Sequence, residues 1–128
     1  MRLESGIQAF LRADTELITL IGDTSAAKGI YWLDAPTTLK KYVLFQKLSA
    51  PAVHDSTDNF ERWSFLVFHK SPSTAKKIQQ RLAVLLNRKI EIVGGFPIDF
   101  IRYIDSIDPE KIEGGIYRAV SDFRIYYH

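Results

Sequence analysis

Few residues of this 128-residue chain could do chemistry, and their spacing argues against catalysis. His54, Asp55 and Ser56 supply the three residue types of a hydrolase triad, but they are consecutive. Adjacent side chains cannot form the relay in which an acid orients a base and the base activates a nucleophile. They read as part of a solvated loop. His69 stands at the end of an extended segment in register with Trp63 and Phe65, which suits a structural role. With three scattered histidines and no cysteine, no pair stands at metal-ligand spacing. Gly94-Gly95 and Gly114-Gly115 match neither phosphate-binding fingerprint and read as turn glycines. No catalytic residue, cofactor or metal is expected.

The charged residues are more informative. From Arg62 through Ile90 the ionisable side chains other than His69 are Arg62, Lys70, Lys76, Lys77, Arg81, Arg88 and Lys89, with no Asp or Glu among them. From Glu91 to Glu113 the balance reverses: Glu91, Asp99, Asp105, Asp108, Glu110 and Glu113 face only Arg102 and Lys111. A basic element and an acidic segment on one chain favour a head-to-tail contact between copies, which closes into a ring when the rotation allows, or a contact with a charged partner. The candidate contact residues are Lys76, Lys77, Arg81, Arg88 and Lys89, with Val84 set among them. On the other side are Asp108, Glu110 and Glu113, and the loop residues His54, Asp55 and Asp58.

The elements that must position these groups follow from periodicity. Leu3, Ile7, Phe10 and Leu11 form one helical stripe. Asp14 or Thr15 caps a second short helix carrying Leu17, Ile18, Leu20 and Ile21, and Gly22 stops it. Ile30–Leu33 and Tyr42–Leu48 read as strands, the second buried on both faces. Ser49 to Asn59 is a long polar loop, and Phe60–His69 is a strand with Trp63, Phe65 and Val67 on one side. Ser71 and Pro72 open a helix running to about Asn87, with Ala75, Ile78, Leu82, Leu85 and Leu86 on its apolar arc and Lys76, Lys77, Gln80 and Arg81 on the other. Strands follow over Ile90–Val93 and Ile98–Ile107, the latter ended by Asp108-Pro109-Glu110, and the alternating segment Ile116–Tyr127 is the last. The sum is an α+β fold: a mostly antiparallel sheet of four to six strands, N-terminal helices, and one long amphipathic helix packed on the sheet.

Composition sets the frame. The length suits one domain over residues 1–128, and 46% hydrophobic residues can bury a core. A net charge of +2 is small for a dedicated nucleic-acid binder, so any basic surface must be local. The first residues hold no apolar run of a signal peptide, and no apolar window approaches the roughly 20 residues that span a bilayer. A soluble, unexported protein with no membrane partner is expected.

The order of these features resembles the short tail-completion proteins of long-tailed phages and prophages, the tail-to-head joining group related in fold to tail terminators. The residues that carry the likeness are Gly29-Ile30-Tyr31 leading to Pro36, Tyr42-Val43-Leu44-Phe45, and a polar loop. Then come His69-Lys70-Ser71, the helix with Ala75, Ile78, Leu82 and Leu85, and Arg118, Ser121-Asp122-Phe123 and Ile125 in the last strand. The resemblance implies a structural role with no catalytic residues. It implies a hexameric ring, formed freely or on the tail as template, at the head-proximal end of the tail. The implied partners are the tail tube protein and the head–tail connector, with genomic DNA passing through the lumen. The implied place is the virion, and the host cytoplasm during assembly. The residues also allow a second reading: a noncatalytic module that binds nucleic acid or a ligand through the sheet or the basic helix.

Overall fold

The computed structural model describes residues 3–23, 27–36, 39–49, 60–87, 92–93 and 96–127. Helices α1 (Leu3–Arg12) and α2 (Thr15–Ile21) precede strands β1 (Ile30–Trp32), β2 (Tyr42–Ser49) and β3 (Phe60–His69). Helix α3 (Pro72–Leu86) follows, then β4 (Ile92–Val93), β5 (Phe96–Lys111), a single 3-10 turn (Glu113–Gly115) and β6 (Tyr117–Tyr127). The strand order is β1-β2-β3-β6-β5-β4; β1 runs parallel to β2 and every other pairing is antiparallel. The fold is α+β, as the periodicity predicts. The loop residues His54, Asp55 and Asp58, together with Arg88, Lys89 and Glu91, lie outside the described residues.

Local chemistry starts and stops the helices. The Asp14 carboxylate accepts from Leu17 N at 2.9 Å, and Gly22, at φ 79°, ends α2 with its N–H on Ile18 O. Ser71 Oγ accepts from Thr74 N at 3.2 Å, with Pro72 in the first turn of α3. Gln8 and Arg12 of α1 donate to Ile30 O at 2.9 and 3.0 Å, which holds the short β1 against the helices.

One face of the sheet carries the core. Trp32, Phe45, Phe65, Phe123 and Tyr103 form a row of rings across β1, β2, β3, β6 and β5, with successive centroids 5.2, 5.3, 5.4 and 5.8 Å apart. Trp63 joins it 4.9 Å from Trp32. Ile7, Leu11, Leu17 and Ile21 from α1 and α2, and Ala75, Ile78, Leu82, Leu85 and Leu86 from α3, close over this row. In β2 the alternation is half-buried, not buried on both sides: Val43 and Phe45 are covered, whereas Tyr42 and Leu44 lie on the helix-free face.

Strand β5 departs from the expected pattern. Asp108-Pro109-Glu110 does not end it; pairing resumes at Glu110 opposite Arg118. Between Ile98 and Phe100, Tyr103 and Asp105, and Ile107 and Glu110, β5 holds one more residue than β6, so each site is a bulge. A bulge at an edge accommodates a proline that has no N–H to give to the ladder. It also reverses side-chain parity. Ile107 therefore does not share the face of Ile101 and Tyr103; it pairs with Val120 and stands 51% exposed.

Gly29 shows how tightly the first strand is seated. Its φ is 76°, and a Cβ there would come within 2.6 Å of Ile21 Cγ2, whereas Gly114, at φ 75°, has open space. Replacing each with alanine separates backbone strain from collision. Gly114→Ala should cost about 1–2 kcal/mol from the left-handed backbone alone. Gly29→Ala should cost more, because Ile21 must also move. Urea unfolding of both variants checks the order, and equal losses would show that α2 yields freely.

Candidate functional site

Two surfaces come from the packing of α3 against its neighbours, and the sequence candidates distribute unequally between them. On the β5 side, Gln79 is buried and its Nε2 donates to Ile107 O at 2.9 Å and Val120 O at 3.1 Å. Asn87 Oδ1 accepts from Tyr103 N at 2.9 Å, and Tyr103 Oη bonds Ser106 Oγ at 2.6 Å. Lys76 pairs with Asp108 across the same seam. A cleft of about 210 Å³ lies here, lined in part by Lys76, Asn87 and Ser121, whose buried Oγ has no hydrogen-bond partner among the described residues.

This seam caps the edge of β5. Tyr103 N, Ser106 N and Ile107 O are taken by the side chains of Asn87, Asp105 and Gln79. Bulges, a proline and capped backbone groups are the devices by which an edge strand avoids adding another strand. The outermost strands of the sheet, β1 and β4, are only 3 and 2 residues long.

On its α2 side, α3 is fastened by charge. Arg81 places Nε 2.9 Å and Nη2 2.7 Å from the two oxygens of Asp14, and Nη1 3.0 Å from Glu16. Asp14 thus caps α2 and binds α3 with one carboxylate, and that hydrogen bond raises the Arg81 pKa further above neutrality. Beside the pair runs a groove of about 260 Å³ lined by Glu16, Leu20, Lys77, Gln80, Arg81 and Val84. Val84 is 64% exposed.

Of the sequence candidates, then, Lys76 and Arg81 are engaged within the chain, and Asp108 is the partner of Lys76. Lys77 and Val84 lie together on the α2–α3 groove, while Glu110 and Glu113 are exposed at the far end of β5 and in the turn after it, without ion pairs among the described residues. Sequence reasoning missed Gln79. Its position between Ala75 and Leu82 puts it on the buried arc, and a glutamine on that arc signals backbone groups needing donors. Among the described residues, no cluster of three or more metal-ligating side chains occurs.

His69 has a local task. Its Nδ1 accepts from Ser71 N at 3.0 Å, which requires the unprotonated ring and sets the turn that starts α3. Burial, aided by Lys41 and Lys70, lowers its pKa from the ordinary value of 6.5.

No family model and no curated protein matches the sequence. Solved structures share the fold. A chain in the virion of a native gene transfer agent particle superposes with a TM-score of 0.72 at 17% identity, over 98% of this chain and 93% of that one. A second solved chain, known by a sequence identifier alone, superposes with a TM-score of 0.59 at 14% identity, over 100% and 97%. The likeness runs through the whole fold and lies in the backbone, not in the side chains.

Two outcomes follow from these contacts. Gln79→Leu should leave the partly buried Ile107 and Val120 carbonyls without this donor and cost about 1–3 kcal/mol, read from urea unfolding. For His69, the folded pKa lies below the unfolded one, so the unfolded chain binds the proton more readily. Stability is full above the unfolded pKa of 6.5 and falls as pH drops below it toward the folded value. His69→Asn, whose side-chain oxygen can replace Nδ1, should flatten that part of the Tm-versus-pH curve; an unchanged curve assigns the slope to other groups.

Proposed function

We propose that this chain is a structural component of the virion of a long-tailed phage or a phage-derived particle, and not an enzyme. On this reading it forms or joins a closed ring, hexameric by the sequence resemblance, at the head-proximal end of the tail. There it completes the tail tube and meets the head connector, with DNA passing through the lumen. The observation that carries the reading is the near-complete overlap in fold with a chain of the gene transfer agent virion. The short outermost strands and the capped backbone groups of β5 support it, since they make open-ended strand addition unfavourable.

Within such a ring the α2–α3 groove is one half of the contact. Lys77 and Val84 offer a cation beside an exposed apolar side chain, and the exposed carboxylates Glu110 and Glu113 of the next copy match them. A contact between unlike surfaces repeats around a ring until it closes. Arg81 acts one step back by fixing the groove wall against Asp14 and Glu16, while Lys76 and Asp108 hold α3 to β5 on its other side. Arg88, Lys89, His54, Asp55 and Asp58 remain proposed contact residues.

Native mass spectrometry across protein and salt concentration, alone and with purified tail tubes, tests this. The expected result is a ring of defined copy number that loosens with salt, alone or on the tube, and that Val84→Asp prevents. A chain that stays monomeric at high concentration and does not co-sediment with tail tubes overturns the reading.

A further inference from the structure

We propose that the helix-free face of the sheet binds the phosphate backbone of nucleic acid, through Arg62, Arg124 and Arg102 with Phe60 and Tyr126 beside them. The observation is one of register. Arg62 lies opposite Arg124 across the β3–β6 pair, and Arg124 lies opposite Arg102 across β6–β5. Three cations therefore share one rung, on neighbouring strands about 4.8 Å apart. Like charges directly opposite one another destabilise a sheet, so this rung has a cost that an anion laid across it would remove.

The charges on hand within the chain offset only part of it. Asp122 forms an ion pair with Arg62 at 3.6 Å and lies opposite Asp105 on the neighbouring rung towards Ser64, so two carboxylates stand beside three guanidinium groups. The Arg124 guanidinium sits over the Phe60 ring, 5.0 Å from its centre, and its buried Nε has no acceptor among the described residues. Arg102 is exposed and has no ion pair among the described residues. All three cations are arginines, whose planar forks hold phosphate oxygens through paired hydrogen bonds.

The next rung adds aromatic surface: Phe60 and Tyr126 lie opposite each other with ring centres 5.4 Å apart. Arginines interleaved with aromatics are how open protein surfaces hold nucleic-acid strands. The α2–α3 groove has no aromatic side chain in its lining, so it lacks this combination. The rung spans about 10 Å in a straight line, from two strand spacings. A polyanion with regular charges matches such a line better than the dispersed carboxylates of a second copy, where Asp108 is already held by Lys76. The inference does not depend on ring assembly, because the rung belongs to one copy.

Fluorescence polarisation with short labelled single-stranded and duplex DNA, across a salt series, tests the proposal on the full chain. Arg102→Glu alters a side chain whose loss breaks no ion pair in the described fold, and Lys77→Glu makes the same charge change on the helix layer. Arg102→Glu should weaken binding about tenfold or more and reduce the salt slope, while Lys77→Glu should leave affinity within about twofold. Absence of saturable binding to either DNA form overturns the proposal, as does an equal loss in both variants. Sedimentation velocity on the same samples separates the two readings. If Arg102→Glu disrupts self-association and leaves DNA binding intact, the rung is a subunit contact and not a phosphate site.

Discussion

The row of aromatic rings across the sheet is the contact on which the rest of the structure depends. Trp32, Phe45, Phe65, Phe123 and Tyr103 come from five strands, so every pairing from β1 across to β5 is also a ring contact on the core side. Rings of this size bury more apolar surface than any other side chains, and tilted or edge-on contacts add to that burial. Because the row is continuous, the strand registers are coupled. A one-residue slip in β3 would send Phe65 and Trp63 to the helix-free face and bring Arg62 and Ser64 into the core. The helices then need only supply aliphatic side chains at helical spacing to cover it.

Where the row reaches its end, at Tyr103, apolar packing gives way to hydrogen bonding. Gln79, Asn87, Ser106 and Asp108 join α3 to β5 through backbone carbonyls, an amide and an ion pair. A polar seam of this kind is directional, so it fixes where the bulged strand lies in a way that oily contacts would not. It also occupies backbone groups that an open edge would present to another chain. The same helix is fixed on its other side by Arg81, gripped by the α2 cap residue Asp14 and by Glu16. Charge thus does two separate things: on the helix layer it locks elements together, whereas the arginines of the opposite face are left with too few acids.

That division changes how the uneven charge along the chain is understood. The basic run from Arg62 to Lys89 looks like one patch when read along the sequence. In the fold it is split, because Arg62 lies on the helix-free face of the sheet and Lys77 on the outer side of the helix layer. Arg102 and Arg124 come from the acidic and final segments, and they join Arg62 through strand pairing alone. A surface assembled from three strands in the order β3-β6-β5 has no contiguous signature.

Several features were decided by the sequence alone, because local physics decides them. The caps at Asp14 and Ser71, the stop at Gly22, the apolar arc of α3 and the alternation of β3 and β6 each depend on residues within one or two turns. The α+β class follows from their order. The bulges of β5 were not legible, since a bulge exists only relative to a partner strand. That is why Asp108-Pro109-Glu110 reads as an end in the sequence while the strand continues through it. The parallel seat of β1, the buried work of Gln79 and the pairing of Arg81 with Asp14, 67 positions away, also depend on the partner brought near. Tertiary structure alone put three arginines on one rung, because register across strands is set by the burial of the opposite face.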